Sequence, residues 1–378
     1  MEIKTASGCY ITDSSGNKYI DTTMGSGAQL IGHGNILSRK IAKQAEKGTI
    51  YTIPNSYTNE VNGYLKHINP DLHDQYVFCS SGTEANMRAI RLARAHTGKN
   101  IIGRFHGGWH GGLDGFLNEH PDSKGVPVVT DELFKVLPYN DDECFKDITS
   151  DMAAVIIEPV QGSNPRSDVK EFLNKLRDHC TRKNVLLIFD EIMTGFRVSA
   201  KGGSGIFDVR PDIVTYGKVL GGGFPIGAVG GTSKIMKTKN IFYGGTFSAN
   251  HLSMYAAKII LETIIDKTYI KYDELDTAGE TFRNELNKFF ISHDKKMRVI
   301  GCGAINRIIF TDRFIMNRKD RDLYEPAGAQ LAFSERLKDN NVFVNGNGLY
   351  HFSMSHTPEV IEKLINCIKE VGVSNLIT

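Results

Sequence analysis

The 378-residue sequence has no run of 18 or more apolar residues, and its start, MEIKTASGCY, lacks the basic-then-apolar pattern of an export signal. A membrane-crossing helix is therefore not expected, and the cytoplasm is the expected location. A surplus of one charge is missing too, since 45 Lys and Arg stand against 43 Asp and Glu for a formal net charge of +2. That balance gives no electrostatic footprint for nucleic acid or an anionic membrane, so small molecules are the expected partners. Cysteine is sparse and scattered. Cys9, Cys79, Cys144, Cys180, Cys302 and Cys367 form no C-x-x-C pair, which argues against a disulfide framework or zinc knuckle and for reduced thiols. Internal repeats, low-complexity tracts and charge blocks are also lacking, so domain boundaries rest on changes of pattern.

What the chain does have is length and apolar content, 40% hydrophobic, enough to bury one large core and a smaller one beside it. Lys18-Tyr19-Ile20-Asp21 after Ser14-Ser15-Gly16-Asn17 predicts an early hairpin. From about 75 to 230, short apolar runs alternate with amphipathic stretches, the pattern of a mainly parallel sheet wrapped by helices. Strands are expected at 75–79, 101–105, 153–158, 185–190 and 213–216. Val169, Phe172, Leu173, Leu176 and Cys180 predict a crossover helix, and Val360, Leu364, Cys367 and Val371 predict a closing one. The reading divides the chain into 1–45, the first part of a small domain; 46–255, a large domain; and 256–378, the rest of the small domain.

Three stretches carry chemistry. Ser80-Ser81-Gly82-Thr83-Glu84-Ala85 follows the 75–79 strand and opens a helix with Ala85, Ala89, Leu92 and Ala93 on one face, ending near Gly98. Free N–H groups and the positive dipole end make that start a candidate phosphate cradle. Taken alone, ordinary helix capping is the simpler account of the same residues. The apolar run Val185-Leu186-Leu187-Ile188-Phe189 then ends in Asp190-Glu191, at the strand end where open α/β sheets bind ligands. Asp190 there suits a cofactor, a magnesium ion or a turn cap. The third stretch decides between them: Ile213-Val214-Thr215-Tyr216 runs into Gly217-Lys218, followed by a glycine-rich loop, expected to be free of helix, from Gly221 to Gly227. A lysine beside glycines at a strand end suits an amine kept from water so that it can attack an aldehyde. It is not a Walker lysine, because Asp212 stands where that motif has glycine and Val219 where it has Ser or Thr. His106 and His110 have the spacing of a helical metal pair, but Gly107, Gly108, Gly111 and Gly112 argue against a helix, and no metal is expected.

These stretches, together with Gly16-Asn17-Lys18-Tyr19-Ile20-Asp21, Phe105-His106-Gly107-Gly108-Trp109-His110-Gly111, Glu158-Pro159-Val160-Gln161-Gly162, Asp190-Glu191-Ile192-Met193-Thr194-Gly195-Phe196-Arg197 and Gly244-Gly245-Thr246-Phe247-Ser248, stand in one order. In that order the chain resembles a class III aminotransferase of the fold type I family, in its glutamate-1-semialdehyde aminomutase branch, over residues 10–260. The resemblance implies an α/β fold with a large domain built on a mainly parallel seven-stranded sheet, a smaller α+β domain, and pyridoxal 5'-phosphate (PLP) as cofactor. It implies that Lys218 forms the Schiff base and carries the proton, and that Asp190 bonds the ring nitrogen. Gly82 and Thr83, with Ser81, would bind the phosphate. Trp109 would stack on the ring with Ile192 on its other face, plain core packing being the alternative for this single tryptophan. Thr246 would reach the phosphate of the neighbouring subunit, which implies a homodimer with shared sites.

The substrate side departs from that branch. Where aminomutases carry Ser-x-Phe-Glu, this chain reads Asn345-Gly346-Asn347-Gly348-Leu349-Tyr350, with neither that carboxylate nor the arginine that many class III aminotransferases hold nearby. Ser26, between Gly25 and Gly27, stands in place of a large aromatic and implies a roomier pocket. Ser163 replaces an asparagine, with Asn164 next to it able to serve. Ser26, Glu158, Ser163 and Asn164 are thus the expected substrate residues. The chain also begins at the family's early hairpin, so the arm that often helps form the substrate entrance is expected to be absent. The expected activity is transfer of an amino group from an amino donor to a carbonyl acceptor. An intramolecular aminomutase is the alternative, and a catalytically silent PLP-fold binding protein is a third reading that Lys218 and Asp190 oppose.

Overall fold

A computed structural model describes the chain except residues 52, 54, 71–73, 119–122 and 374–378. At the N-terminus, β1 (Ile3–Ser7), β2 (Tyr10–Asp13) and β3 (Lys18–Asp21) pair in antiparallel succession. The predicted turn closes because the Asp13 carboxylate accepts hydrogen bonds from the backbone N–H groups of Ser15 (3.0 Å) and Asn17 (2.9 Å).

One seven-stranded sheet occupies the middle of the chain: β4 (Gln75–Cys79), β5 (Ile101–Phe105), β6 (Phe134–Leu137), β7 (Met152–Ile157), β8 (Leu186–Asp190), β9 (Ile213–Tyr216) and β10 (Gly227–Gly231). In space the order is β4-β10-β9-β8-β7-β5-β6. From β9 to β6 neighbours run parallel, while β10 lies antiparallel to both β4 and β9. Every residue of β7 is buried, as a strand covered on both faces requires. The five expected strands are all present, within one residue at each end.

Two strands of this sheet were not expected. β6 has only four residues and sits at the edge of the sheet. β10 reads Gly-Ala-Val-Gly-Gly, a composition that depresses strand propensity. Close approach explains its glycines: a Cβ on Gly230 would lie 2.3 Å from the Tyr76 ring, and one on Gly227 would lie 2.2 Å from the Ser81 carbonyl oxygen. The stretch expected as a loop therefore ends as a strand, and it begins as a 3-10 turn, Lys218–Gly221.

Helices cover both faces. The crossover helix Lys170–Lys183 buries Phe172, Leu173, Leu176 and Cys180, and the helix Gly82–Thr97 ends on left-handed Gly98. Beyond residue 265, the long helix Tyr272–Ser292 and the last helix Pro358–Val373 pack beside a three-stranded antiparallel sheet of β11 (Arg298–Cys302), β12 (Ile305–Ile309) and β14 (Leu349–His351). A two-residue strand between them, β13 (Val342–Phe343), runs parallel to β3 and so joins the C-terminal elements to the early hairpin. None of these four strands was singled out in the sequence. No described helix is long and apolar enough to cross a membrane, and all six cysteines are free.

Candidate active site

At the carboxyl ends of the parallel strands lies a cavity of about 730 Å³, inside the range of roughly 300–1,000 Å³ typical of small-molecule sites. Asp190, the last residue of β8, lines it and is 1% exposed. A buried carboxylate needs donors, and three reach it. Oδ2 accepts from Asn86 Nδ2 and from His110 Nδ1, each at 2.7 Å, and Oδ1 accepts from the Ile192 backbone N–H at 3.0 Å. Asn86 is itself held, with its Oδ1 accepting from Thr215 Oγ1 on β9 at 2.7 Å and its Nδ2 also donating to the His110 carbonyl at 3.0 Å. A carboxylate offers about four lone pairs, so one on Oδ1 stays free for a donor in the cavity. His110, weighed in the sequence only as a zinc ligand, is thus a support for Asp190. Among the described residues no three His, Cys, Asp or Glu side chains are placed to hold a metal ion.

Glu191 takes a different part. Its carboxylate accepts from Gly203 N (2.8 Å), Ser204 N (2.7 Å), Ser204 Oγ (2.7 Å) and Thr194 Oγ1, a clamp for the start of the next helix.

Lys218 lines the same cavity just beyond β9, at a left-handed φ of +43°. Burial lowers its pKa, an effect that the nearby charges of Glu158 and Asp190 oppose. Its Nζ lies 3.9 Å from Met193 Sδ, and no carboxylate forms an ion pair with it among the described residues. Glu158 follows β7 and holds two loops in place: Oε2 accepts from Trp109 N at 3.0 Å and Oε1 from Gly162 N at 3.2 Å. Burial pushes its pKa up to about 7.

Gly82 and Thr83, at the start of the helix Gly82–Thr97, line the cavity, and as the first helical residues their N–H groups have no intrahelical acceptor. A Cβ on Gly111 would fall 2.2 Å from Thr83 Oγ1, so this cradle closes only around glycine. Ser81 is the cap instead, its Oγ accepting from Glu84 N at 3.2 Å, and it does not line the cavity. Ile192 packs against Gly82 and Gly217, and Trp109, 56% exposed, lines the cavity as well. Among the expected substrate residues, Ser26, Glu158 and Ser163 reach the cavity; Asn164 is buried outside its lining, with no hydrogen bond from either amide atom among the described residues. Thr246 is exposed and away from the cavity.

The glycines around Ser26 have a backbone reason. Met24, Gly25, Ser26 and Gly27 all have positive φ, forming a left-handed turn. Asp21, the end of the Lys18-Tyr19-Ile20-Asp21 motif, holds that turn by accepting from Thr23 N (2.8 Å), Thr23 Oγ1 (2.6 Å) and Met24 N (3.2 Å). Arg197 ties the far side, donating to the carbonyls of Gly27 and of Phe352, the latter at 2.9 Å.

Several lining residues were not anticipated: Arg307, Arg318, Arg321, Gln330 and His351. The stretch 345–350 itself supplies no arginine, as expected, and the arginines of the lining come from upstream of it. Arg307 carried a signal, as a charge within the apolar strand Ile305–Ile309, and Asn86 carried one as a polar residue beside Ala85 on a buried helix face. Arg318 and Arg321 sit in the charged run Arg318-Lys319-Asp320-Arg321-Asp322, where nothing distinguishes them from a solvated helix.

A half-buried lysine, an anchored aspartate and an open helix start, gathered around one cavity at the strand ends of a mainly parallel sheet, define a cofactor-dependent transferase fold of the fold type I class. The chain belongs to the class III aminotransferases: the family model described as Aminotransferase class-III matches residues 1–363. It is 34% identical to the glutamate-1-semialdehyde 2,1-aminomutase 2 of Lachnoclostridium phytofermentans, over 97% of this chain and 91% of that one. Among solved structures, it resembles an omega-transaminase from Sphaerobacter thermophilus with a TM-score of 0.90 at 25% identity, covering 98% of this chain and 90% of that one. A transaminase with PLP bound matches with a TM-score of 0.87 at 26% identity, over 98% and 90% of the two chains.

Proposed function

We propose that the protein moves an amino group with PLP as cofactor, Lys218 and Asp190 holding its two ends. The observation that carries this reading is a half-buried lysine lining the same cavity as a three-donor aspartate with a lone pair to spare. The residues fit the group: Asp190 is placed to accept from a ring N–H, and Gly82 and Thr83 offer backbone N–H groups to the phosphate. Trp109 and Ile192 would bound the ring, and family membership and the PLP-bound neighbour support the choice of cofactor.

When bound, PLP supplies an electron sink beside the amine carbon. The chain does the rest. Lys218, whose pKa burial lowers, would hold the cofactor through Nζ and would take up and return the proton of the amine carbon. Asp190 keeps the ring-nitrogen proton in place, and its supports Asn86 and His110 fix which oxygen does so. Glu158 positions the Trp109 and Gly162 loops around that chemistry.

The curated relatives favour a shift of the amino group within one molecule over the donor-to-acceptor transfer expected first. An external acceptor stays as a second reading because the substrate wall is rebuilt, with arginines in the cavity and no glutamate at 345–350. Sharing of sites between two subunits is part of the proposal: Phe242 and Phe247, 74% and 62% exposed, flank Thr246 on an open face suited to a second copy. A solution mass near twice 41.9 kDa is expected, and a monomer with full activity would remove that part.

Borohydride reduction of the PLP-loaded protein should fix the cofactor on Lys218, read as a mass increment on the peptide holding that residue. Lys218→Ala should lose the increment and about 10²–10⁴-fold in turnover. A variant as active as the parent would end the proposal, and dependence of turnover on an added keto acid separates the two readings.

A further inference from the structure

Two other buried arginines of this protein spend their terminal guanidinium nitrogens on hydrogen bonds within the chain. Arg88 donates to the carbonyls of Phe78 (2.8 Å) and Gly244 (3.1 Å) and to Ser248 Oγ (3.0 Å), and Arg197 to those of Phe352 and Gly27. Arg307 is different. Its side chain is 5% exposed, it makes no hydrogen bond among the described residues, its Nε has no partner, and its one ion pair, to Glu325 Oε2, is 3.7 Å long. A guanidinium so placed carries a desolvation cost that one long ion pair offsets only in part.

Its neighbours deepen the imbalance. Arg321 is engaged with the Ser163 carbonyl, with Asp322 at 2.6 Å and with Glu325 at 3.5 Å, and Arg318 with Asp322 at 3.1 Å. Three guanidinium groups therefore share two carboxylates, which leaves one positive charge uncompensated. Beside them Gln330 is buried, with neither amide atom bonded among the described residues. All four residues line the cavity that holds Lys218 and Asp190. The cluster is also fixed against the Trp109 loop: Arg321 bonds Ser163, Ser163 Oγ donates to the Gly107 carbonyl at 2.7 Å, and a Cβ on Gly107 would lie 2.6 Å from Arg318 Cβ.

We infer that Arg307 and Gln330, backed by Arg318 and Arg321, form an oxyanion subsite that takes a carboxylate or phosphate group of the substrate remote from its reacting amine or carbonyl. An oxyanion there supplies the missing charge, and the fork of Arg307 suits either group in bidentate fashion. The inference rests on the PLP reading above and names the substrate class for it.

The test uses PLP-loaded enzyme and three primary amines of similar length, butylamine, 4-aminobutanoate and 3-aminopropyl phosphate, with single-turnover conversion of the cofactor followed by absorbance. At least one of the two anionic amines should exceed butylamine in kcat/KM tenfold or more, and whichever leads identifies carboxylate or phosphate as the source. R307Q should shrink that ratio at least tenfold, chiefly through KM, with R307K recovering part of it. Should R307Q fail to fold, wild type still decides: glutarate or inorganic phosphate should compete with butylamine. No preference for either anionic amine together with no competition, or an unchanged ratio in a folded R307Q, overturns the subsite. Failure of borohydride to mark Lys218 would instead overturn the PLP reading, so the two failures are distinguishable.

Discussion

Asp190 and Glu191 are adjacent carboxylates at one strand end, and the fold separates their tasks completely. Asp190 keeps a lone pair for the cavity; Glu191 gives all it has to the start of the next helix. Glu158 is the third buried carboxylate, and its chemistry is visible in pH dependence. Burial raises its folded pKa from 4.5 to about 7, so the folded state holds that proton more tightly than the unfolded chain does. Its contribution therefore favours folding at low pH and is lost as pH rises from 4.5 to about 7. In the cofactor-free protein, the urea midpoint of Glu158→Gln relative to the parent should rise between about pH 5 and about pH 8, and a constant difference would contradict the assignment. At this scale Lys218, Asp190, Gly82 and Thr83 were legible, because strand ends and helix starts are where chemistry collects. His110 was not, since it matters through Asp190, eighty residues away, and the signals that Asn86 and Arg307 carried, a polar residue on a buried helix face and a charge in an apolar strand, do not name their partners.

Among elements, the helix Gly82–Thr97 does most of the joining. Its start faces the cavity, Asn86 supports Asp190, and Arg88, two positions on, pins the 244–248 segment that contains Thr246. Arg88→Met would leave the Phe78 and Gly244 carbonyls and Ser248 Oγ without their donor, at a cost of about 1–3 kcal/mol. Amide exchange in 242–248 should quicken more than in β7, and equal protection in both proteins would count against the clamp. Strands rich in β-branched residues were readable in sequence, as was the crossover helix with its 3.6-residue spacing. β10 was not, because its glycines answer to Tyr76 and Ser81 across the sheet. β13 was not either, because its partner β3 lies more than three hundred residues earlier in the chain.

For the whole molecule, the motifs that disclosed the fold all lie between 10 and 260, whereas the new part of the cavity wall comes from 307–330. Family resemblance therefore pointed to the cofactor half and to Ser26, Glu158 and Ser163 of the substrate half, but not to Arg307, Arg318, Arg321 and Gln330. Lys218 sits at φ +43°, in a region that side chains occupy only under steric strain. Any residue with a Cβ at 218 inherits that burden, and glycine alone is spared it. A Lys218→Gly protein, inert by construction, should accordingly withstand heating better than Lys218→Ala, by about 1 kcal/mol. The amine to which the proposed chemistry is assigned is stationed where the backbone would rather have no side chain, so on that proposal durability and reactivity draw on the same residue.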